Sequence, residues 1–215
     1  MPPPPARRLV VMDVDSTLIT GEVIEMLAER AGTRALVAAV TERAMRGEID
    51  FARSLHERVA TLAGVPVTVL ADVLDEVELS PGAKELVAGL AARGWPLALV
   101  SGGFTEVVGP LAARLGITRY RANRLEVADG VLTGRVAGEV VDRAAKAVAL
   151  RAWADELRVP LERTVAIGDG ANDLDMLAAA GTGIAYRAKP LVAAAADHAL
   201  EGRLDEVLTL PALAS

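Results

Sequence analysis

Two carboxylates stand two residues apart at Asp13 and Asp15, with the hydroxyls of Ser16 and Thr17 directly behind them. They follow Leu9–Met12, a β-branched and apolar run that reads as a buried strand, and Leu18 and Ile19 return the chain to the interior. An unpaired carboxylate is very costly away from water, so acids at the end of a buried strand call for a cation. Asp-x-Asp-x-Thr in that place suggests a Mg²⁺ site, with one carboxylate acting as a nucleophile and the other moving a proton. The competing reading makes both acids helix caps and both hydroxyls turn residues.

Further groups of the same character occur downstream. Gly168-Asp169-Gly-Ala-Asn172-Asp173 brings two more acids, so Asp13, Asp15, Asp169 and Asp173 together offer hard oxygen ligands suited to Mg²⁺ and not to zinc. Ser101-Gly102-Gly103 offers a hydroxyl and backbone N–H groups at a helix entrance, an anion cradle. Lys146, isolated among alanines, can neutralise a phosphate. Together they describe phosphoryl transfer, in which positioning and charge stabilisation supply most of the acceleration. Taken singly, each has a plainer reading as a turn, a cap or a solvated helix charge.

The elements that must position these groups follow from periodicity. Helical patterns cover residues 22–31, 33–45, 50–62 and 67–77, separated by Gly32, Gly47, Gly64 and Pro66, with no strand among them. They read as a helical block inserted between the first strand and the rest. From Ser80-Pro81-Gly82 onward an α/β rhythm begins: helix 81–92, strand 95–100, helix 106–115 and strand 120–127. Asp129-Gly130 then predicts a hairpin into 131–133. Helix 143–157, strand 164–167, helix 174–180 and a last core strand, 183–186, follow, with a mobile Ala-rich stretch and a short 204–208 helix behind them. Such alternation predicts a doubly wound parallel α/β sheet. In that fold ligands collect beyond the carboxyl ends of the strands, and three predicted strands end in polar sequence, at Asp13, Ser101 and Asp169.

Composition narrows the function. With 23 basic against 29 acidic residues, a net charge of −6 and no basic tract, nucleic acid or an anionic membrane is not expected as the main partner. A small anionic substrate remains compatible, because a local metal or Lys outweighs a modest global charge. There is no cysteine, which excludes thiol-dependent phosphatase chemistry and a disulfide framework. Apolar windows are broken before they would span a bilayer, and Pro2 to Pro5 with Arg7 and Arg8 read as an extended arm without the apolar core of a signal peptide. A cytoplasmic protein is expected, as a monomer or homodimer.

Asp13-Val-Asp15-Ser-Thr17, Ser101-Gly-Gly, Lys146 and Gly168-Asp169-Gly-Ala-Asn172-Asp173 resemble the four motifs of the haloacid dehalogenase superfamily. Within it the chain is similar to the phosphoserine phosphatase family, through Glu22, Met45-Arg-Gly-Glu-Ile-Asp-Phe51 and Arg58. Ser101-Gly-Gly-Phe104, Ala122-Asn123-Arg124 and Ala188-Lys189-Pro190 extend that similarity. The resemblance implies a Rossmann-like core over 1–19 and 78–215 with a small helical cap over 20–77. It implies that Asp13 attacks phosphorus and Asp15 serves as acid and then base. Mg²⁺ would be held by Asp13, the Asp15 carbonyl and Asp169, with Asp173 in support. Ser101, Gly102, Lys146 and Asn172 would hold the phosphoryl group, Glu22 the ammonium and Arg58 the carboxylate of phosphoserine, and Met45 and Phe51 would cover the apolar side. The expected reaction releases L-serine and phosphate. Transfer to an acceptor such as homoserine, another small phosphomonoester as substrate, and a non-catalytic binding module are the alternatives. No regulatory domain is expected ahead of Asp13.

Overall fold

A computed structural model of the chain describes residues 8–46 and 48–213, leaving aside the Met45 side chain. The expected proline-rich arm falls, apart from Arg8, outside the described residues. A seven-stranded sheet carries the fold, in the order β4-β3-β2-β1-β5-β6-β7. Its strands are β1 Leu9–Met12, β2 Leu97–Phe104, β3 Arg119–Ala128, β4 Val131–Ala137, β5 Thr164–Gly168, β6 Thr182–Tyr186 and β7 His198–Leu200. All neighbours pair in parallel except β3 with β4, which form the hairpin that Asp129-Gly130 announces. Both turn residues take positive φ, +50° and +78°, as the favoured two-residue turn requires.

Burial follows from a period of two. Val10 and Met12 face one hydrophobic cluster with Leu99, Val165, Ile167 and Ile184, while Leu9 and Val11 face the other with Ala98, Val100, Ala166 and Ala185. Helices cover both faces: α5 Ala83–Ala92 and α6 Thr105–Arg114 on the first, α7 Arg143–Glu156, α8 Leu174–Ala179 and α9 Pro190–Ala195 on the second. A central strand buried on both sides must be apolar throughout, and Leu9–Met12 is fully buried. Because Met12 pairs with both Leu99 and Ile167, the carboxyl ends of β1, β2 and β5 lie level.

Among the described residues four α-helices fall between β1 and α5: α1 Val23–Arg30, α2 Arg34–Met45, α3 Phe51–Ala60 and α4 Val69–Glu76. Asp50 caps α3 by accepting the Arg53 N–H at 2.7 Å. The two connections to this block run side by side. Ile19 and Leu79 form an antiparallel bridge, flanked by Thr20 N–H to the Glu78 carbonyl (3.0 Å) and Ser80 N–H to the Leu18 carbonyl (2.9 Å). A second seam joins the block to the hairpin, where Gly64 and Val67 donate to the Leu132 and Gly130 carbonyls and Leu132 donates to Val65, at 2.8–3.0 Å.

The structure differs from expectation at β2, beyond β6 and at β4, which runs to Ala137 and not only to 133. β2 does not stop at Val100 but continues through Ser101-Gly-Gly to Phe104, which pairs with Asn123 after an irregularity in register. The Ala-rich stretch forms α9, anchored by fully buried Val192, and β6 is followed by β7 on its outer edge. Among the described residues no helix is long and apolar enough to cross a membrane.

Candidate active site

A cavity of about 410 Å³ opens above the carboxyl ends of β1, β2 and β5, between them and the inserted helices. Asp13, Asp15, Asp169 and Asn172 line its floor, Gly102 one wall, and Glu22, Phe51 and Arg58 its roof. The structure brings these eight residues together around one cavity. Lys146, Asp173 and Ser101 are fully buried behind the floor and hold it in place. The Met45 side chain lies outside the described residues.

Asp13 follows directly from β1, its N–H donating to the Ile167 carbonyl at 2.9 Å. The chain then makes a tight loop, Val14–Leu18, in which Ser16 sits at φ +56°. That turn brings Asp15 back over the strand ends. Asp15 accepts the Val23 N–H at the start of α1 (2.8 Å) and the Ser101 hydroxyl (2.9 Å). Ser101 accepts in turn from the Gly103 N–H at 2.7 Å. Thr17 donates to Asp169 at 3.2 Å, and Ser16 to Glu22 at 2.8 Å.

α7 starts at Asp142, which caps it by accepting the Ala145 N–H at 2.8 Å, and so points Lys146 inward. The ammonium donates to Asp13 and, at 2.7 Å, to Asp173. A fully buried lysine would ordinarily lose its proton, but these two carboxylates outweigh its desolvation and hold it charged. Asp173 also accepts the Gly170 N–H at 3.1 Å, which shapes the turn carrying Asp169.

Ligand oxygens of Asp13, Asp169 and Asp173 lie within 4.8 Å of one another. Burial raises Asp13 well above the usual carboxylate range, and it raises Asp169 to about 6, with the Asp173 charge adding to the effect. One ammonium does not balance four converging carboxylates. The excess of hard, negative oxygen is what a divalent cation needs, so the residues fit a metal ion. Asp15 is likewise raised, first by burial and against the Val23 and Ser101 hydrogen bonds, which suits a group that must carry a proton. Glu22 is pushed to about 7 by burial and the nearby Asp15 charge. Arg58, half-buried on α3, donates to the Ser54 carbonyl at 3.3 Å, and burial draws it below its ordinary value.

Some residues at the site were given no role of their own in sequence, though Asn123 and Lys189 lie in segments that carry the family similarity. Asn123, almost fully buried, donates to the Gly102 carbonyl at 2.8 Å and accepts the Val141 N–H at 2.7 Å. It thereby ties the end of β2 to the loop that launches α7. Asparagine inside a strand is unusual enough to have marked it. Arg143 and Lys189 stand at the cavity rim. Arg143 opposes the dipole at the start of α7 and pairs with Asp175 at 2.5 Å, an anomaly of placement visible in hindsight.

Residues 10–178 match the haloacid dehalogenase-like hydrolase family. A phosphoserine phosphatase of Mycobacterium tuberculosis is 56% identical over 205 residues, 95% of this chain and 50% of that protein. One of Streptococcus thermophilus is 53% identical over 184 residues, 86% of each chain. A solved structure of a phospho-aspartyl intermediate analogue of phosphoserine phosphatase superposes with a TM-score of 0.89 at 40% identity, covering 94% of this chain and 98% of that one. The chain spans about half the length of the Mycobacterium relative. Similarity this broad, laid over strand ends that gather the acids, shows that the chain belongs to the haloacid dehalogenase-like hydrolases and, among them, to the phosphoserine phosphatase family.

Proposed function

We propose that the protein hydrolyses O-phospho-L-serine to L-serine and phosphate, with Mg²⁺, through a phosphoryl group carried on Asp13. The observation that carries this reading is a single cavity with Asp13 and Asp15 on its floor and Glu22 and Arg58 on its roof. The floor provides phosphoryl chemistry. The roof offers an acid for an ammonium and a guanidinium fork for a carboxylate.

In the first half-reaction an Asp13 oxygen attacks phosphorus and the bond from phosphorus to the serine oxygen breaks. Asp15, whose raised pKa lets it hold a proton, delivers that proton to the departing oxygen. In the second, a water attacks phosphorus, Asp15 takes the water proton, and the bond to Asp13 breaks to release phosphate. Ser101 and the N–H of Val23 keep Asp15 aimed throughout. Asp13, the Asp15 carbonyl and Asp169 would hold Mg²⁺ with Asp173 in support, and the charge it supplies there offsets that of the phosphoryl oxygens. Lys146 neutralises Asp13 at rest and shares in that task with Gly102 and Asn172. Phe51 covers the apolar side and excludes water. The proposal includes a cytoplasmic location, the expected place for making an amino acid.

The test is phosphate release from phosphoserine, phosphothreonine, phosphohomoserine and sugar phosphates, each with Mg²⁺ and with EDTA. Phosphoserine should be hydrolysed best and EDTA should stop it. Hydrolysis of an unrelated phosphomonoester with none from phosphoserine would overturn the proposal.

A further inference from the structure

α3 rests on the core at both ends, each time on a glycine. Beyond its carboxyl end a Cβ on Gly134 of β4 would stand 2.9 Å from the Ala63 Cβ and 3.2 Å from the Ala60 carbonyl oxygen. At its amino end a Cβ on Gly102 would stand 2.9 Å from Cζ of Phe51, and the three atoms nearest to it all belong to that ring. Gly102 lies within β2, where any residue could take up the backbone. No turn or left-handed conformation requires glycine there, and a Cβ would have to displace the Phe51 ring. Between the two supports Ser54, Leu55 and Arg58 face the cavity.

We propose that Gly102 is a positioning residue. Its bare Cα is the seat for Phe51, and this contact sets how near the amino end of α3 comes to the strand-end carboxylates. A helix is a stiff rod, and Arg58 lies about 10 Å along it from Phe51. The carboxyl end is held by backbone hydrogen bonds from Gly64 and Leu132, so lifting Phe51 tilts α3 about that end and displaces Phe51, Ser54 and Leu55 most, with Arg58 nearer the pivot. The seat therefore governs recognition of the amino-acid half of the substrate, while the phosphoryl half is held by groups on the strand ends. This inference rests on the phosphoserine reading of the site.

The test compares wild type, Gly102→Ala, Phe51→Leu and the double variant on O-phospho-L-serine and on phenyl phosphate, which has neither ammonium nor carboxylate. Gly102→Ala should raise KM for phosphoserine roughly tenfold, the scale of an overpacked contact, and raise that for phenyl phosphate by a clearly smaller factor. Leucine ends short of the ring's far carbon, so the double variant should bind phosphoserine better than Gly102→Ala alone. Equal losses on both substrates, or a double variant no better than Gly102→Ala, would overturn the proposal. Amide hydrogen exchange reads the seat without turnover: α3 should exchange faster in Gly102→Ala and return towards wild type in the double variant. Unchanged exchange in Gly102→Ala would also overturn it. A wild type inert towards phosphoserine would instead remove the functional reading and leave the exchange experiment to decide the seat.

Discussion

Asp13 and Asp15 are two positions apart, yet their surroundings assign them different work. Asp13 is bonded to a buried ammonium, while Asp15 is held by a hydroxyl and a helix N–H. Asp15→Asn removes the proton carrier but keeps the backbone carbonyl. It should lower kcat by about a hundredfold or more, the usual worth of general acid–base catalysis, in pre-steady-state and steady-state rates alike. A near-normal kcat would contradict that role. Glu22 makes a pH prediction. Its ordinary value is 4.5 and burial raises it to about 7. Between those values the folded protein keeps a proton that the unfolded chain has released, so this group's contribution to stability falls as pH rises through the window. Glu22→Gln should flatten that part of the Tm-against-pH profile of the metal-free protein; an unchanged slope would contradict it. The acids were legible in sequence because carboxylates after an apolar strand demand an explanation. Asn123 stood out only as part of the family similarity and its role did not, because what makes it matter is a pair of backbone groups brought to it by β2 and the loop before α7.

At the scale of elements, the strand ends work only if they stay level, and Asn123 is the cross-tie. Asn123→Ala would leave the Gly102 carbonyl without this partner and the buried Val141 N–H without its acceptor. It should cost about 1–3 kcal/mol in urea unfolding and lower kcat/KM as β2 and α7 lose register. Full stability with full activity would show the tie to be dispensable. The helices and central strands were readable from period alone, and β1 was predicted to the residue. β2 was read too short because Ser-Gly-Gly carries no strand propensity; pairing of Phe104 with Asn123 keeps it extended. β7 and α9 escaped because both are short. His198–Leu200 is too short to show a period, and only β6 beside it makes it a strand.

For the whole molecule, the inserted helices are tied to the sheet at two seams, the Ile19–Leu79 bridge and residues 64–67 along the hairpin. Pro66 and Val131 face each other at the second seam as a pair flanked by hydrogen bonds. Such pairs bring Cα atoms to about 4.5 Å, close enough for a disulfide. The chain has no cysteine of its own, so a Pro66→Cys/Val131→Cys crosslink can be made without competition. If this seam stays closed through turnover, the oxidised protein should keep its kcat. A loss of activity restored by reductant would show that the seam opens. Neither seam was foreseen in sequence, because both join segments that local pattern treats as independent.

The central claim is that Asp13 carries the phosphoryl group. An acyl phosphate caught by acid quench during turnover of phosphoserine with Mg²⁺ is reduced by borohydride to an alcohol, which mass spectrometry locates. The account predicts homoserine at position 13, absent without substrate and absent in Asp13→Asn, which should also be inactive. Rapid turnover with no reduced residue, or with the reduced residue anywhere else, would contradict it.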